Sequence, residues 1–133
     1  MRILVADDDP LVREFIGLSL RNAGQQSALV RNGLEAVAEF KKQPFQLALI
    51  DLIMPEQEGI ETIVQVRRGW PTTRIIAMSA GSKSLSSSTA LDWAVELGAD
   101  LALTKTIDPV EFIRVIGEQV AYVSQSADSG TVR

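Results

Sequence analysis

Short apolar runs alternate with amphipathic stretches five times along this chain, and that alternation restricts the fold more than any other feature. The apolar runs are Ile3–Ala6, Gln26–Val30, Leu47–Ile50, Arg74–Met78 and Leu101–Leu103. Three of them are almost wholly apolar, as strands covered on both faces would be. Strict βα alternation predicts a parallel sheet with helices on both faces. Right-handed crossovers leave few arrangements of five strands, of which 2-1-3-4-5 is the common one. The expected fold class is therefore α/β: a five-stranded parallel sheet, order 2-1-3-4-5, with five helices on both faces.

The intervening stretches carry helix punctuation. Asp9 can cap a first helix over Pro10–Ala23, Pro10 suits its first turn, and Gly24 suits its end. Its expected buried stripe is Leu11, Val12, Phe15, Ile16 and Leu20. Asn32 and Glu35 have capping-box spacing ahead of a second helix ending near Lys42, and Asp108 and Glu111 repeat that spacing ahead of the fifth. A third helix follows Gly59, and a fourth spans about Ser88–Leu97. The fifth should bury Phe112, Ile113, Val115, Ile116 and Val120. Trp70 and Trp93 read as partly buried packing residues. At 133 residues the chain reads as one domain, residues 1–123, with a polar, flexible tail over 124–133.

In such a sheet, ligands bind beyond the carboxyl ends of the strands, where strands 1 and 3 diverge. The polar residues there are Asp7 and Asp8 after strand 1, Asp51 after strand 3, Ser79 after strand 4 and Lys105 after strand 5. Neighbouring strands lie about 4.8 Å apart. Three carboxylates, a hydroxyl and an ammonium thus gather around one point. Like charges about 4 Å apart repel by roughly 4 kcal/mol at an effective dielectric near 20, so the acids call for a counter-charge. A hard divalent cation suits carboxylate oxygens. A carboxylate can attack a phosphoryl group if the charge on both is offset, so the arrangement suggests phosphoryl transfer. Asp9 reads as the helix cap rather than as a third member of the site.

The rest of the composition removes alternatives. There is no cysteine and no histidine, which excludes thiol and Ser/His nucleophilic machinery and the usual zinc sites. A net charge of −4 gives no general attraction to nucleic acid or anionic membranes. No targeting or membrane-spanning segment is evident, and a cytoplasmic location is expected.

Ile3-Leu4-Val5-Ala6-Asp7-Asp8-Asp9-Pro10, Asp51-Leu52-Ile53-Met54-Pro55 with Gly59, Met78-Ser79-Ala80 and Leu103-Thr104-Lys105 together resemble the receiver domain of two-component response regulators. The resemblance covers about residues 2–122. It implies a regulatory phosphoacceptor, of the chemotaxis-regulator kind, that catalyses only its own phosphorylation and dephosphorylation. Asp51 would take a phosphoryl group from a phosphohistidine on a sensor histidine kinase or histidine phosphotransfer protein. Mg²⁺ (or Mn²⁺) would be bound by Asp8, Asp51 and the backbone carbonyl of Ile53, and by Asp7 mainly through a water. Ser79 and Lys105 would bind the phosphoryl oxygens. A downstream protein would read the state at the face formed by the fourth helix, fifth strand and fifth helix. Dimerisation through the fourth and fifth helices is left open, as is whether the chain acts alone or is an excised domain.

Two positions depart from the family pattern. Ala102 stands where an aromatic usually switches between inward and outward positions, and Thr106 follows Lys105 where proline, with a cis bond, is usual. The loop Gly81–Ser88 is expected to be mobile and to order on phosphorylation. Two other readings remain: a constitutive interaction module that no longer switches, and a hydrolase using Asp7 and Asp9 as an aspartate-dependent phosphatase does.

Overall fold

A computed structural model describes residues 1–54, 59–79, 92–105 and 108–130. The strands are β1 (Arg2–Ala6), β2 (Gln26–Val30), β3 (Leu47–Asp51), β4 (Arg74–Ser79) and β5 (Leu101–Thr104). They form one parallel sheet in the order β2-β1-β3-β4-β5, the order expected from the alternation. The helices are α1 (Pro10–Asn22), α2 (Gly33–Lys42), α3 (Gly59–Gly69), helical residues 92–97 (α4) and α5 (Pro109–Gly130). Among the described residues, no helix is long and apolar enough to cross a membrane.

Alternation of side chains along the strands sorts the core into two layers. Leu4, Ala6, Ala48, Ile50, Ile75 and Ala77 face Phe40 of α2, Ile63 and Val66 of α3, and Ala94 of α4. Ile3, Val5, Leu47, Leu49, Ile76 and Met78 face Ile16 and Leu20 of α1 and Phe112 and Ile116 of α5. Covered on both sides, β3 is buried along its whole length.

The helix ends follow their sequence signals. The Asp9 carboxylate accepts the Leu11 N–H at 2.9 Å, and Asp108 accepts that of Val110 at 2.8 Å. The Asn32 side chain accepts the Glu35 N–H at 2.9 Å, while the Glu35 carboxylate reaches back to the N–H of Arg31, one residue beyond the usual capping-box partner. At the end of α1, Gln25 N–H donates to Leu20 O and Gly24 N–H to Arg21 O. This pair of hydrogen bonds needs a left-handed residue, supplied by Gly24 at φ 80°.

Several packing expectations are corrected. Leu11 is 79% exposed and Phe15 41% exposed, so neither belongs to the buried stripe of α1. Five apolar positions span a wider arc than one helix can press onto a sheet, and Val12, Ile16 and Leu20 take the inward side. Of the five α5 positions expected inside, Phe112 and Ile116 are fully buried, with Ile113, Val115 and Val120 half-buried. Trp93 is exposed because the small Ala94 holds the inward position of α4, whereas Trp70 is half-buried against Phe40, ring centroids 4.8 Å apart. α5 also continues to Gly130, through the segment expected as a tail: no proline or glycine interrupts 124–129, and Val120 and Val123 still pack on the core. The loop Gly81–Ser88, the start of the fourth helix at Ser88 and the Lys105–Thr106 bond lie outside the described residues.

Candidate functional site

Parallel strands of nearly equal reach deliver their terminal side chains to one edge of the sheet. Asp7 leaves β1 still in the ladder, its N–H donating to Val30 O at 3.0 Å, and it is fully buried. Asp51 is the last residue of β3, beside Met78, and is 4% exposed. Ser79 ends β4 beside Thr104 and is 3% exposed. Lys105 follows β5, with its N–H on Ser79 O at 2.6 Å. Asp8 is exposed at the mouth.

The side chains then converge. Carboxylate oxygens of Asp7, Asp8 and Asp51 lie within 4.8 Å of one another. Lys105 Nζ lies 2.7 Å from Asp7 Oδ2 and 3.3 Å from Asp51 Oδ2. These two bonds join residues far apart in sequence, and they place the ammonium between two buried acids. Three carboxylates against one ammonium leave two negative charges uncompensated at the cluster, which matches a divalent ion.

The electrostatics carry that strain. Burial pushes the Asp51 carboxyl up to about 6, with repulsion from Asp7 adding to it and Lys105 opposing it. For Lys105, burial disfavours the charge, but the bond to Asp7 and the attraction of both acids outweigh it, and its pKa is raised.

The donor set fits a small hard cation. Mg²⁺ demands oxygens at about 2.0–2.1 Å in octahedral geometry, so ligand oxygens lie at most about 4.2 Å apart. Adjacent ligands of such an ion lie only about 2.9 Å apart, so the three carboxylates, within 4.8 Å of one another, would have to draw together to hold it. Ile53, which follows two residues after Asp51, is 71% exposed, and its N–H reaches Asp51 Oδ1 at 3.4 Å.

Two residues support the site in ways that the sequence pattern does not show. Arg13 Nη1 donates to the Asp7 carbonyl at 2.8 Å, and the Asp9 N–H bonds Asp7 Oδ1 at 2.9 Å, so the loop bearing Asp8 is held from both sides. Gly59 belongs to the sequence motif, and its reason is steric. A Cβ there would stand 2.1 Å from Asp51 O and 2.5 Å from Leu52 Cα, so only glycine lets α3 start against the end of β3.

Comparison with known proteins agrees with this geometry. The family model described as the response regulator receiver domain matches residues 3–117. An uncharacterized 14.6 kDa protein from Leptolyngbya boryana is 33% identical over 118 residues, covering 87% of each chain. The transcriptional regulatory protein ZraR of Klebsiella oxytoca is 34% identical over 110 residues, 83% of this chain. This chain spans 23% of that relative's length and 51% of response regulator RR06 of Streptococcus pneumoniae. Among solved structures, a CheY-like response regulator receiver domain protein from Methanospirillum hungatei superposes with a TM-score of 0.79 at 26% identity, covering 94% of this chain and 97% of that one. With the strand order, the converging acids and the family match in agreement, the chain belongs to the response regulator receiver domains, the phosphoacceptor signalling modules of two-component systems.

Proposed function

We propose that Asp51 is the phosphoacceptor of this receiver domain. The observation that carries the reading is the convergence of Asp7, Asp8, Asp51 and Lys105 at the carboxyl edge of the sheet. An Asp51 carboxylate oxygen attacks phosphorus, the P–N bond of a phosphohistidine breaks, and the departing imidazole nitrogen keeps the electron pair. Asp51 must be ionised to attack, and neutral pH lies above its raised pKa. Asp8, Asp51 and the Ile53 carbonyl would hold Mg²⁺ or Mn²⁺, with Asp7 acting through a bound water. When bound, the ion offsets the charge of nucleophile and phosphoryl group together. Lys105 leaves its bridge between the acids to pair with a phosphoryl oxygen, and Ser79 bonds another.

The donor implied by the family is a histidine on a sensor kinase or phosphotransfer protein, and the absence of histidine in this chain fits a phosphoryl group supplied from elsewhere. The domain performs its own phosphorylation and dephosphorylation and turns over no separate substrate. The receiver unit is residues 1–123, in the cytoplasm, with 124–133 as an appendage. Output is read at the face of α4, β5 and α5, where Trp93, Val95 and Leu97 are exposed. Ala102 packs against the core with no ring to turn, so the signal travels through Ser79 and Lys105 rather than through an aromatic switch.

The decisive test is intact-mass analysis after incubation with a small phosphodonor and Mg²⁺. The parent protein should gain one acid-stable, base-labile acyl phosphate, and Asp51→Asn should gain none. An unmodified parent under these conditions, or equal labelling of the variant, removes Asp51 from the role.

A further inference from the structure

The end of the sheet opposite the acid cluster has a different character. A cavity of about 780 Å³ opens there between the turns preceding β3, β4 and β5 and the later turns of α5. Pro44, Phe45, Trp70, Pro71, Tyr122 and Val123 form its apolar walls. That size and lining suit a binding pocket.

The charges around it are inverted relative to the rest of the molecule. The chain is acidic overall, yet α2 and α3 both end here in basic turns, Lys41-Lys42 and Arg67-Arg68, and Arg2 and Arg74 start their strands here. Arg67 is spent: its guanidinium donates to the carbonyls of Gly98, Pro71 and Thr73 and to the Asp100 carboxylate. Arg74 is not. Its guanidinium stacks 4.2 Å above the Tyr122 ring and its Nε donates to Gln119 Oε1 at 2.7 Å. Arg2 lies 4.7 Å over the Phe45 ring, with Nε on Pro44 O at 3.4 Å. Among the described residues, no carboxylate pairs with either arginine. Arg2 flanks Phe45 outside the lining, whereas Arg74 lines the cavity, its fork aimed by a ring and an acceptor while its terminal nitrogens stay available for a planar anion.

The kind of anion follows from the backbone. The N–H groups of Gln46, Thr73, Arg74 and Asp100 all donate to carbonyls within the fold. None of these four amides is free to cradle a polyphosphate. What remains suits separate carboxylates beside an apolar body.

We propose that this cavity, with Arg74 as its anion-binding fork, is a docking site for an acidic peptide segment of a partner protein that carries an apolar residue between its carboxylates. The site is independent of phosphorylation chemistry, being at the other end of the strands from Asp51.

The test is ¹⁵N NMR titration of the full chain with a blocked pentapeptide of alternating glutamate and leucine. The Trp70 indole and the Gln46 and Thr72 amides should shift, in Asp51→Asn as in the parent. The lysine–leucine counterpart should bind about tenfold more weakly or not at all, and Arg74→Met should lose about tenfold in affinity. Arg74→Lys keeps the charge without the fork; it should also weaken binding, and it serves if the methionine variant does not fold. Equal binding of the lysine peptide, undiminished binding by a folded Arg74 variant, tighter binding of ADP at the same residues, or closure of the cavity by a second copy of the chain would each overturn the proposal.

Discussion

At the scale of single residues, the site stores a repulsion that its chemistry uses. The Asp51 carboxyl, held near 6 by burial and by Asp7, binds its proton more tightly in the fold than at its ordinary value of 3.8. A folded pKa above the unfolded one favours the fold only while the proton is on. That contribution is full below about pH 4 and is lost as pH rises through about 6. A rise from 3.8 to about 6 corresponds to at most about 3 kcal/mol. With divalent ions chelated, the parent should therefore lose stability between pH 4 and pH 7 relative to Asp51→Asn, as urea unfolding at each pH would report. Parallel stability curves for the two proteins would contradict it. Gly59 is a second residue where the site and the fold meet. Gly59→Ala puts a methyl 2.1 Å from Asp51 O, against backbone that cannot swing aside. Overpacking of this kind costs roughly 1–3 kcal/mol. The displaced Asp51 should also weaken Mg²⁺ binding, which calorimetry measures separately from the melting temperature; unchanged affinity and stability would show that α3 can shift freely.

Elements were legible in the sequence to the extent that a local signal fixed them. Asp9, Asn32 and Asp108 cap where their side chains can reach a backbone N–H two or three residues on, which needs no knowledge of the tertiary fold. The five strands followed from alternation, while handedness left few orders, of which the common one is observed. The polar residues at the strand ends converge because topology, not local sequence, brings Asp7, Asp51 and Lys105 together. What escaped was the outcome of packing competition. Leu11, Phe15 and Trp93 are as apolar as their buried neighbours, but each helix offers the sheet a limited arc. Arg13 escaped because its role is a bond to a main-chain carbonyl, invisible in a side-chain pattern. The distinction on α1 can be measured. Leu11→Ala should change stability by no more than about 0.5 kcal/mol, whereas Ile16→Ala, at a fully buried position, should cost about 2–5 kcal/mol. Comparable losses at the two positions would mean that α1 packs with the stripe its sequence suggests.

For the whole molecule, one small cluster connects the strands that build the sheet. Asp7 follows β1 and Asp51 ends β3, so an ion held between their carboxylates would tie those two strands, while the far edge is joined to them by Lys105. A ligand that binds only the folded state stabilises it by about 2.7 kcal/mol at a hundredfold excess over its Kd. The binding also has a proton cost, since Asp51 must be ionised to serve as a ligand and Lys105 must yield part of its hold on the acids. Mg²⁺ should accordingly raise the melting temperature more at pH 8 than at pH 5. The gain should shrink in Asp51→Asn and in Asp8→Asn, which removes the exposed member of the set. Differential scanning calorimetry across Mg²⁺ concentrations at the two pH values measures this directly. An ion effect that is the same at both, or that survives loss of either carboxylate, would mean that the metal binds elsewhere and that the acids keep their charge by solvation alone. The predicted coupling runs both ways: the carboxylates that make the metal-free domain less stable at neutral pH are the ones through which the ion makes it more so.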